Sequence, residues 1–190
     1  EPNGDLASLE AQIAALMSAV HQGDAQTARA LLDANPLLLN ATDVEGRNAM
    51  TTAIYAGQPT IVGLLRERGA IPTLFEAAAM GDIPAVQAAL AGNPDMLRAH
   101  SFDGWTALHL AAHYGRVEAA RALLAAGANV SAHSWNGLDN EPIHAAAAHR
   151  GGAAMVATLL VAGAQVNARQ HGGFTPLHEA AQNGDDEMVA

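Results

Sequence analysis

The stretch DGWTALHLAAHYG, residues 103–115, contains two histidines four positions apart, His109 and His113. Its apolar spacing predicts a helix, and residues four apart on a helix share one face. Histidine pairs with this spacing occur on zinc-binding helices, so the stretch is compatible with a metal site and with a structural repeat. Whether it occurs once or recurs along the chain separates the two interpretations.

The stretch belongs to a motif that recurs with its first histidine in place. Three copies occur, GWTALHLAAHYG at 104–115, NEPIHAAAAHRG at 140–151 and GFTPLHEAAQNG at 173–184. His144 follows His109 by 35 residues and precedes His178 by 34, which is close to the period of about 33 residues found in one class of helical repeats. A companion segment occurs twice, as ARALLAAGANVSA at 120–132 and VATLLVAGAQVNA at 156–168. The chain is therefore predicted to consist of repeated helix–turn–helix units.

Weaker copies of the same scheme extend the pattern towards the N-terminus. They are AALMSAVHQGDAQTARALLDANPLLL at 14–39, GRNAMTTAIYAG at 46–57 with TIVGLLRERGA at 60–70, and TLFEAAAMGDIPAVQAALAGNPDML at 73–97. We predict a single repeat domain, residues 11–190, preceded by an N-terminal segment, residues 1–10. Its six units lie near 11–42, 43–72, 73–101, 102–132, 133–168 and 169–190.

Elementary helix chemistry accounts for each unit. Thr106 and Thr175 stand where a hydroxyl can cap the first helix, and Pro176 occupies the first helical position. A glycine such as Gly115 ends that helix about two turns later, because it adopts a left-handed conformation without strain. A second helix follows and presents leucines such as Leu123 to the interior. Neither helix is long enough to be stable alone, so each pair has to bury its apolar face against neighbouring units.

The motifs TALHLAA, TPLHEAA, LLAAGANV and LLVAGAQVNA make this chain resemble the ankyrin repeat family. The resemblance covers nearly all of residues 11–190 and implies an all-α repeat solenoid, in which stacked helix pairs carry short turn or β-hairpin fingers. It also implies that the motif histidine is structural, because it ties the start of its helix to the threonine and to the adjoining repeat. The residues of this structural motif are Thr106, His109, His144, Thr175, Pro176 and His178.

The chain departs from the family pattern at four places. RNAM at 47–50 replaces the Thr-Pro-Leu-His start, which predicts a weaker helix cap there. In the third unit only three residues separate Ala70 from Leu74, too few for a full finger. The turn HSWNGLDNEP at 133–142 is longer by one or two residues, and Glu141 stands where threonine usually caps. The sequence also stops at Ala190, inside the second helix of the sixth unit, so we expect either a longer natural protein or a last unit without a polar cap.

No catalytic signature accompanies the repeats. The sequence lacks a glycine-rich phosphate loop, a nucleophile elbow and a spaced carboxylate pair. A zinc site at His109 and His113 would need a third ligand, and units five and six carry Ala148 and Gln182 where His113 stands. We therefore predict no catalytic residue, no metal site and no cofactor, in a protein that is not an enzyme.

The charge balance bears on the partner. The 190 residues carry nine basic and nineteen acidic side chains, a formal net charge of −10, and every basic residue is arginine. Because this field repels phosphate backbones and no apolar segment reaches membrane-spanning length, we expect neither nucleic acid nor a membrane as a partner. We expect a monomer that binds a protein, and long-range attraction favours a basic surface on that partner.

The predicted binding surface consists of the turn tips and the exposed first-helix positions, which would line one continuous concave face. Aligning the units on their glycines puts one row of exposed positions at Ser18, Thr52, Glu76, Leu110, Ala145 and Glu179. Aromatic residues, which dominate many interfaces, gather on or beside the turns. The candidate partner-binding residues are Tyr55, Met80, Phe102, Trp105, Leu110, His113, Tyr114, Trp135 and His149. For Trp105 and Phe174, which each precede the capping threonine, packing between adjacent turns is the alternative.

Two other functions are compatible with the sequence. A metal-dependent enzyme could draw on the nine histidines in a histidine-rich groove, or the chain could be a regulatory fragment of a longer protein whose catalytic part lies beyond Ala190. The absence of cysteine leaves the compartment open; we expect a cytoplasmic location, with an exported form as the alternative. The lysine-free, alanine- and arginine-rich composition is typical of GC-rich genomes and predicts a bacterial source.

Overall fold

The computed structural model describes residues 2–148 and 152–185, with side chains from residue 8 onwards within those ranges. Over these residues it contains eleven α-helices, two short 3₁₀ helices and no β-strand, as expected for an all-α repeat protein. The chain divides into two compact units, Glu1–Pro72 and Thr73–Ala190, so the region predicted as a single repeat domain, residues 11–190, contains parts of both. Each unit is built from helix pairs.

The first unit contains two helix pairs. Its elements are α1 (Pro2–Gln22), α2 (Ala25–Ala34), a 3₁₀ helix (Pro36–Asn40), α3 (Ala49–Tyr55) and α4 (Pro59–Glu67). Helix α1 packs against α2 and α3, and α2 packs against α4, so that each pair contacts the other. The side chains of Leu16, Leu38 and Ile61 are fully buried in this unit. Helix α1 begins at Pro2, so residues 2–10 belong to the first helix and do not form a separate segment.

Asparagine caps the start of α3. The Thr51 N–H donates to the side-chain oxygen of Asn48 at 2.8 Å. Asparagine satisfies an unpaired N–H at a helix start about as well as a hydroxyl does. The weaker cap predicted for residues 47–50 is therefore wrong, because the Asn48 side-chain oxygen takes the place of a threonine hydroxyl.

The second unit arranges its described helices in two rows. The first row consists of α5 (Leu74–Met80), α7 (Ala107–His113), α9 (Pro142–Ala147) and α11 (Pro176–Asn183), and the second row of α6 (Ile83–Gly92), α8 (Val117–Ala125) and α10 (Ala153–Val161). A 3₁₀ helix, Pro94–Arg98, follows α6. Each helix packs against the next one in its own row and against its partner in the other row. This is the stacked helix-pair architecture that the repeats predict.

Small side chains fill much of the interior of the second unit. Leu108 and the pair Ala111–Ala112 are buried on α7, and Leu123 and Leu159 are fully buried on α8 and α10. Alanine at so many contact positions lets the helices approach closely, and it leaves the interior dependent on correct stacking, because each alanine buries little surface by itself.

One backbone hydrogen bond closes each turn that precedes a first helix. The N–H donors and carbonyl acceptors are Asp43 with Arg47, Ser101 with Trp105, Ser134 with Asn140, and Gln170 with Phe174. The third of these turns spans two more residues than the others, as its sequence predicted. Residues 70–73 form neither a helix nor a turn, so the third repeat, residues 73–101, lacks this finger.

Consecutive turns of the second unit are joined by further backbone hydrogen bonds. The Trp135 N–H donates to the Gly104 carbonyl oxygen at 2.8 Å, and the His171 N–H donates to the Leu138 carbonyl oxygen at 2.8 Å. The turns therefore form a hydrogen-bonded edge in which each turn contacts the one before it.

Gly104 tests how tightly two of these turns pack. Its φ is +81°, and a Cβ at this position would lie 2.8 Å from the amide nitrogen of Asn136. We expect Gly104→Ala to lower the free energy of unfolding by about 3 kcal/mol, because left-handed strain adds to displacement of the following turn. Gly163→Ala is the matched control: its φ is +100° and no atom lies within 4 Å, so strain alone costs about 1 kcal/mol. Equal losses for both variants in urea unfolding would contradict the tight packing.

Candidate partner-binding surface

Two buried histidines, His109 and His144, each join the start of their own helix to the following turn. The Nδ1 atom of His109 lies 2.8 Å from the Thr106 hydroxyl oxygen, and its Nε2 lies 2.9 Å from the carbonyl oxygen of Asn140 in the next turn. His144 repeats the second contact, with Nε2 3.1 Å from the carbonyl oxygen of Ala168. Because a carbonyl oxygen can only accept, each Nε2 carries the proton and donates it. Each bond therefore connects one repeat to the next.

His178 keeps only the local part of this arrangement. Its Nδ1 lies 2.7 Å from the Thr175 hydroxyl oxygen, and Pro176 occupies the first turn of α11. His178 is exposed, whereas His109 and His144 are buried. The motif histidine is therefore buried where a following turn of the described chain lies against it.

His113 belongs to an aromatic cluster. Its ring lies edge-on to the rings of Trp105 and Tyr114, with centroid distances of 5.1 Å in both cases. His109 uses both of its ring nitrogens in hydrogen bonds. Within residues 2–148 and 152–185, no three His, Asp or Glu side chains lie close enough together to hold an ion. The two histidines of the 103–115 stretch thus have different surroundings and different roles.

We define the aromatic cluster as Trp105, His113 and Tyr114. Trp105 lies before the start of α7, and His113 and Tyr114 lie at its end. Trp105 precedes the helix and also contacts the ring of His109 at a centroid distance of 5.9 Å, while Tyr114 follows the helix as its C-cap. All three members of the cluster are half-buried. Trp105 thus packs on rings of its own repeat and still leaves part of its ring in contact with solvent.

The Tyr114 hydroxyl remains protonated at neutral pH. Burial raises its pKa, the negative charge of Asp103 raises it further, and the positive charge of Arg116 acts in the opposite direction. The Nε of Arg116 also donates to the Ala79 carbonyl oxygen at 2.9 Å. This bond fixes the connection between α7 and α8 against the end of α5.

Leu110 was predicted to be an exposed contact residue, and that prediction is wrong. The side chain is 2% exposed, because α7 packs between α5 and α9 and this position faces a neighbouring helix. Ala145, at the same position of α9, is buried as well. The run of buried residues ends at His113 on α7 and at Ala148, which follows α9, so these two helices are open to a partner at their C-terminal ends.

Glu76, in the same predicted row, is also buried. Its carboxylate accepts a hydrogen bond from the Thr73 N–H at 2.7 Å, and the Thr73 hydroxyl accepts one from the Glu76 N–H at 3.3 Å. Gly81 follows the capping residue Thr73 by eight residues, whereas in the fourth repeat Gly115 follows Thr106 by nine. Alignment on the glycines therefore placed Glu76 one position too far along, and its true counterpart is His109.

The remaining candidates lie in several places. Met80 is half-buried at the end of α5, and Tyr55, in the first unit, is 43% exposed. Phe102 and Trp135 lie on consecutive turns of the second unit and are 42% and 77% exposed. His149 lies outside the described residues. Phe174 is 39% exposed and contacts the ring of His178 at a centroid distance of 5.6 Å.

Sequence reasoning missed His100. Its ring stacks on Trp135 with centroids 3.8 Å apart, and its Nε2 lies 3.0 Å from the carbonyl oxygen of His133. The available signal was that His100 and His133 are 33 residues apart and so occupy equivalent positions in consecutive turns.

Two depressions are present in the described part of the second unit. One, of about 360 Å³, adjoins the longer turn and is lined by Leu97, Arg98, His100, Asn129, His133 and Trp135, among others. The other, of about 610 Å³, is an apolar groove between α8 and α10 that includes Leu124, Ala157 and Val161.

None of the described helices is long and apolar enough to cross a bilayer.

Acid should weaken this fold through His109. Burial lowers its pKa from 6.5 to about 4, an effect that the Asn140 carbonyl bond partly offsets. Since the folded value lies below the unfolded one, the contribution of neutral His109 is complete above pH 6.5 and is lost as the pH falls towards 4. The gap corresponds to about 3 kcal/mol.

We therefore expect the urea midpoint of the wild type to fall between pH 7 and pH 4.5 by more than that of His109→Gln. The variant should be less stable at pH 7 and should depend less on pH. His171→Gln, at an exposed histidine, should keep the wild-type pH dependence. Parallel pH profiles for the wild type and His109→Gln would show that His109 is not the group responsible.

Comparison with known proteins agrees with this geometry. The family model for ankyrin repeats in three copies matches residues 74–170, and a single ankyrin repeat matches residues 172–190. A probable E3 ubiquitin-protein ligase of rice, XBOS32 (Oryza sativa subsp. japonica), is 33% identical over 184 residues, which is 92% of this chain and 36% of the rice protein. An E3 ubiquitin-protein ligase of Arabidopsis thaliana, XBAT32, is 32% identical over 92% of this chain and 34% of its own length.

A third relative is the rat ankyrin repeat and SAM domain-containing protein 6 (Rattus norvegicus), which is 35% identical over 48% of this chain and 10% of its own length. The chain spans about a third of the length of the two plant relatives. Because these relatives come from plants and an animal, they do not support the bacterial source predicted from composition.

The repeats make the chain a protein–protein interaction module. On the strength of the family match, the histidine bridges and the stacked helix pairs, the chain belongs to the ankyrin repeat family.

Proposed function

We propose that this chain is a non-catalytic, monomeric module that binds a protein partner on its second unit. The contact surface consists of the turns before the first helices and of the exposed residues at the C-terminal ends of those helices. The family supports the general function, and the exposed aromatic residues of these segments support the position. The buried positions in the middle of α5, α7 and α9 are excluded from this surface, which makes it narrower than the sequence suggested.

The aromatic cluster is the observation that carries this proposal. Trp105, His113 and Tyr114 hold each other edge-on, so their rotamers are restricted before a partner arrives. Each is half-buried, which leaves ring surface available for contact. Large side chains whose entropy is already reduced contribute disproportionately to binding, and tryptophan and tyrosine are the types most often found at such positions.

The charge of the chain supports a basic partner. The formal net charge is −10, and a field of this sign attracts and orients a positively charged protein during diffusion. Such steering raises the association rate more than it lowers the dissociation rate.

A second candidate function follows from the plant relatives. Two proteins that are 33% and 32% identical over 92% of this chain are named as E3 ubiquitin-protein ligases, and the chain spans about a third of each. We propose as the alternative that the chain is the partner-recognition part of such a ligase. The full reading frame tests this: a catalytic region in the same frame would support it, and its absence would contradict it.

Tyr114 should be needed for partner binding. The immobilised chain is used to capture a partner from the native lysate, and the partner is then purified and its affinity measured by calorimetry. We expect Tyr114→Ala to weaken binding at least about tenfold while thermal unfolding shifts by only a few degrees. Val161→Ala is the control, because Val161 is 91% exposed on α10 and lies outside the surface. Unchanged affinity in Tyr114→Ala would refute the position of the site.

Association should depend on salt. If steering by the acidic surface operates, the association rate measured by stopped flow falls at least about threefold between 50 and 300 mM NaCl, while the dissociation rate changes less. An association rate that does not respond to salt would count against a basic partner.

A further inference from the structure

The inserted turn, residues 133–141, lies across the turn before it. The Trp135 N–H donates to the Gly104 carbonyl oxygen at 2.8 Å, and the side-chain amide of Asn136 donates to the Asp103 carbonyl oxygen at 3.1 Å. Asp139 takes a φ of +49° at the position where the other turns place a glycine. The two extra residues are thus held in one conformation by their neighbours and by the Asp139 backbone.

This arrangement presents the ring of Trp135 to solvent. One face of the indole stacks on His100, with centroids 3.8 Å apart and planes inclined by 14°. His100 is held in turn by its Nε2, which lies 3.0 Å from the His133 carbonyl oxygen. The side chain of Trp135 is nevertheless 77% exposed, so its second face is open. An indole that is held in one orientation and is mostly solvent-exposed is unusual for a residue whose only role is packing.

The charges of the inserted turn are negative. Asp139 and Glu141 are its acidic residues, and residues 133–141 contain no arginine. The His133 ring lies between the two carboxylates, with Nδ1 3.0 Å from an Asp139 oxygen and Nε2 3.9 Å from a Glu141 oxygen. Glu141 is nearly buried and one of its oxygens, Oε2, has no hydrogen-bond partner among the described residues. Asp139 is the exposed carboxylate of the pair.

We propose that the inserted turn recognises an arginine or lysine side chain of the protein partner, which lies against the open face of Trp135 and is attracted by Asp139. This inference rests on the proposed protein-binding function and names the chemistry that one part of the surface selects. A cation over an indole is stabilised by the ring quadrupole, and a nearby carboxylate adds to this attraction. The exposed Leu138, in the same turn, would contact an apolar residue beside that cation.

Arg98 is compatible with the opposite preference, for an acidic side chain of the partner. It lines the cleft of about 360 Å³ that adjoins Trp135, and a carboxylate of a partner could pair with it there. We favour a basic side chain because the inserted turn carries two carboxylates and the whole chain has a net charge of −10. The experiment below separates the two.

The test is a position-scanning array of acetylated nonapeptides probed with the purified chain at low salt. We expect selection of arginine and lysine at one position, with an apolar residue beside it. On the selected peptides, Trp135→Ala and Asp139→Asn should each lose at least about fivefold in affinity. Asparagine tolerates a positive φ, so Asp139→Asn removes the charge without disturbing the backbone.

Asp95→Asn is the matched control, because Asp95 is an exposed carboxylate outside the inserted turn and should leave the affinity unchanged. Thermal unfolding of every variant confirms that the fold is intact. Selection of acidic or uncharged peptides, no selection, or wild-type affinity in Trp135→Ala each overturns the inference. None of these outcomes touches the proposed function, which is decided separately by partner capture and by Tyr114→Ala.

Discussion

The hydrogen bond from the His109 imidazole to the Asn140 carbonyl oxygen is the interaction on which the second unit depends. Helix α7 has seven residues, too few to be stable in water without tertiary contacts. The same ring contacts the capping hydroxyl of Thr106, so one side chain fixes both the start of its own helix and the position of the next turn. Removing the ring would take away the acceptor of the Thr106 hydroxyl proton and would leave the Asn140 carbonyl oxygen with the Ser134 N–H as its donor, and lost hydrogen bonds are costly in a low-dielectric interior.

Close packing of small residues has a consequence for where binding can occur. The middles of α7 and α9 face a neighbouring first helix on either side, so residues such as Leu110 are covered whatever their chemistry. Free surface remains at the helix ends and on the turns, and the aromatic residues of the second unit are found there. Stability and recognition therefore use different positions of the same repeat, which allows one to vary without loss of the other.

The inserted turn shows how a local change acts on its neighbours. Two extra residues would lengthen an isolated loop and leave it unconstrained, but here they gain backbone and side-chain bonds to the preceding turn. Those bonds fix the position of Trp135 and Asn136 against the preceding turn. A regular array thereby acquires one irregular, rigid projection, and rigid aromatic projections bind with a smaller entropy loss than flexible ones do.

The sequence by itself determined the repeats and the helix positions, because caps, terminal glycines and apolar spacing are local properties that recur with a fixed period. The structural role of the motif histidine came from the resemblance to the ankyrin repeat family. The sequence also identified Trp135 as belonging to an irregular turn. Only the tertiary structure decided that Leu110 and Glu76 are buried, that His113 joins Trp105 and Tyr114, and that His100 supports Trp135. These features arise where residues of different repeats or different helix ends meet in space, and a pattern along one chain does not specify which side of a helix its neighbours will cover.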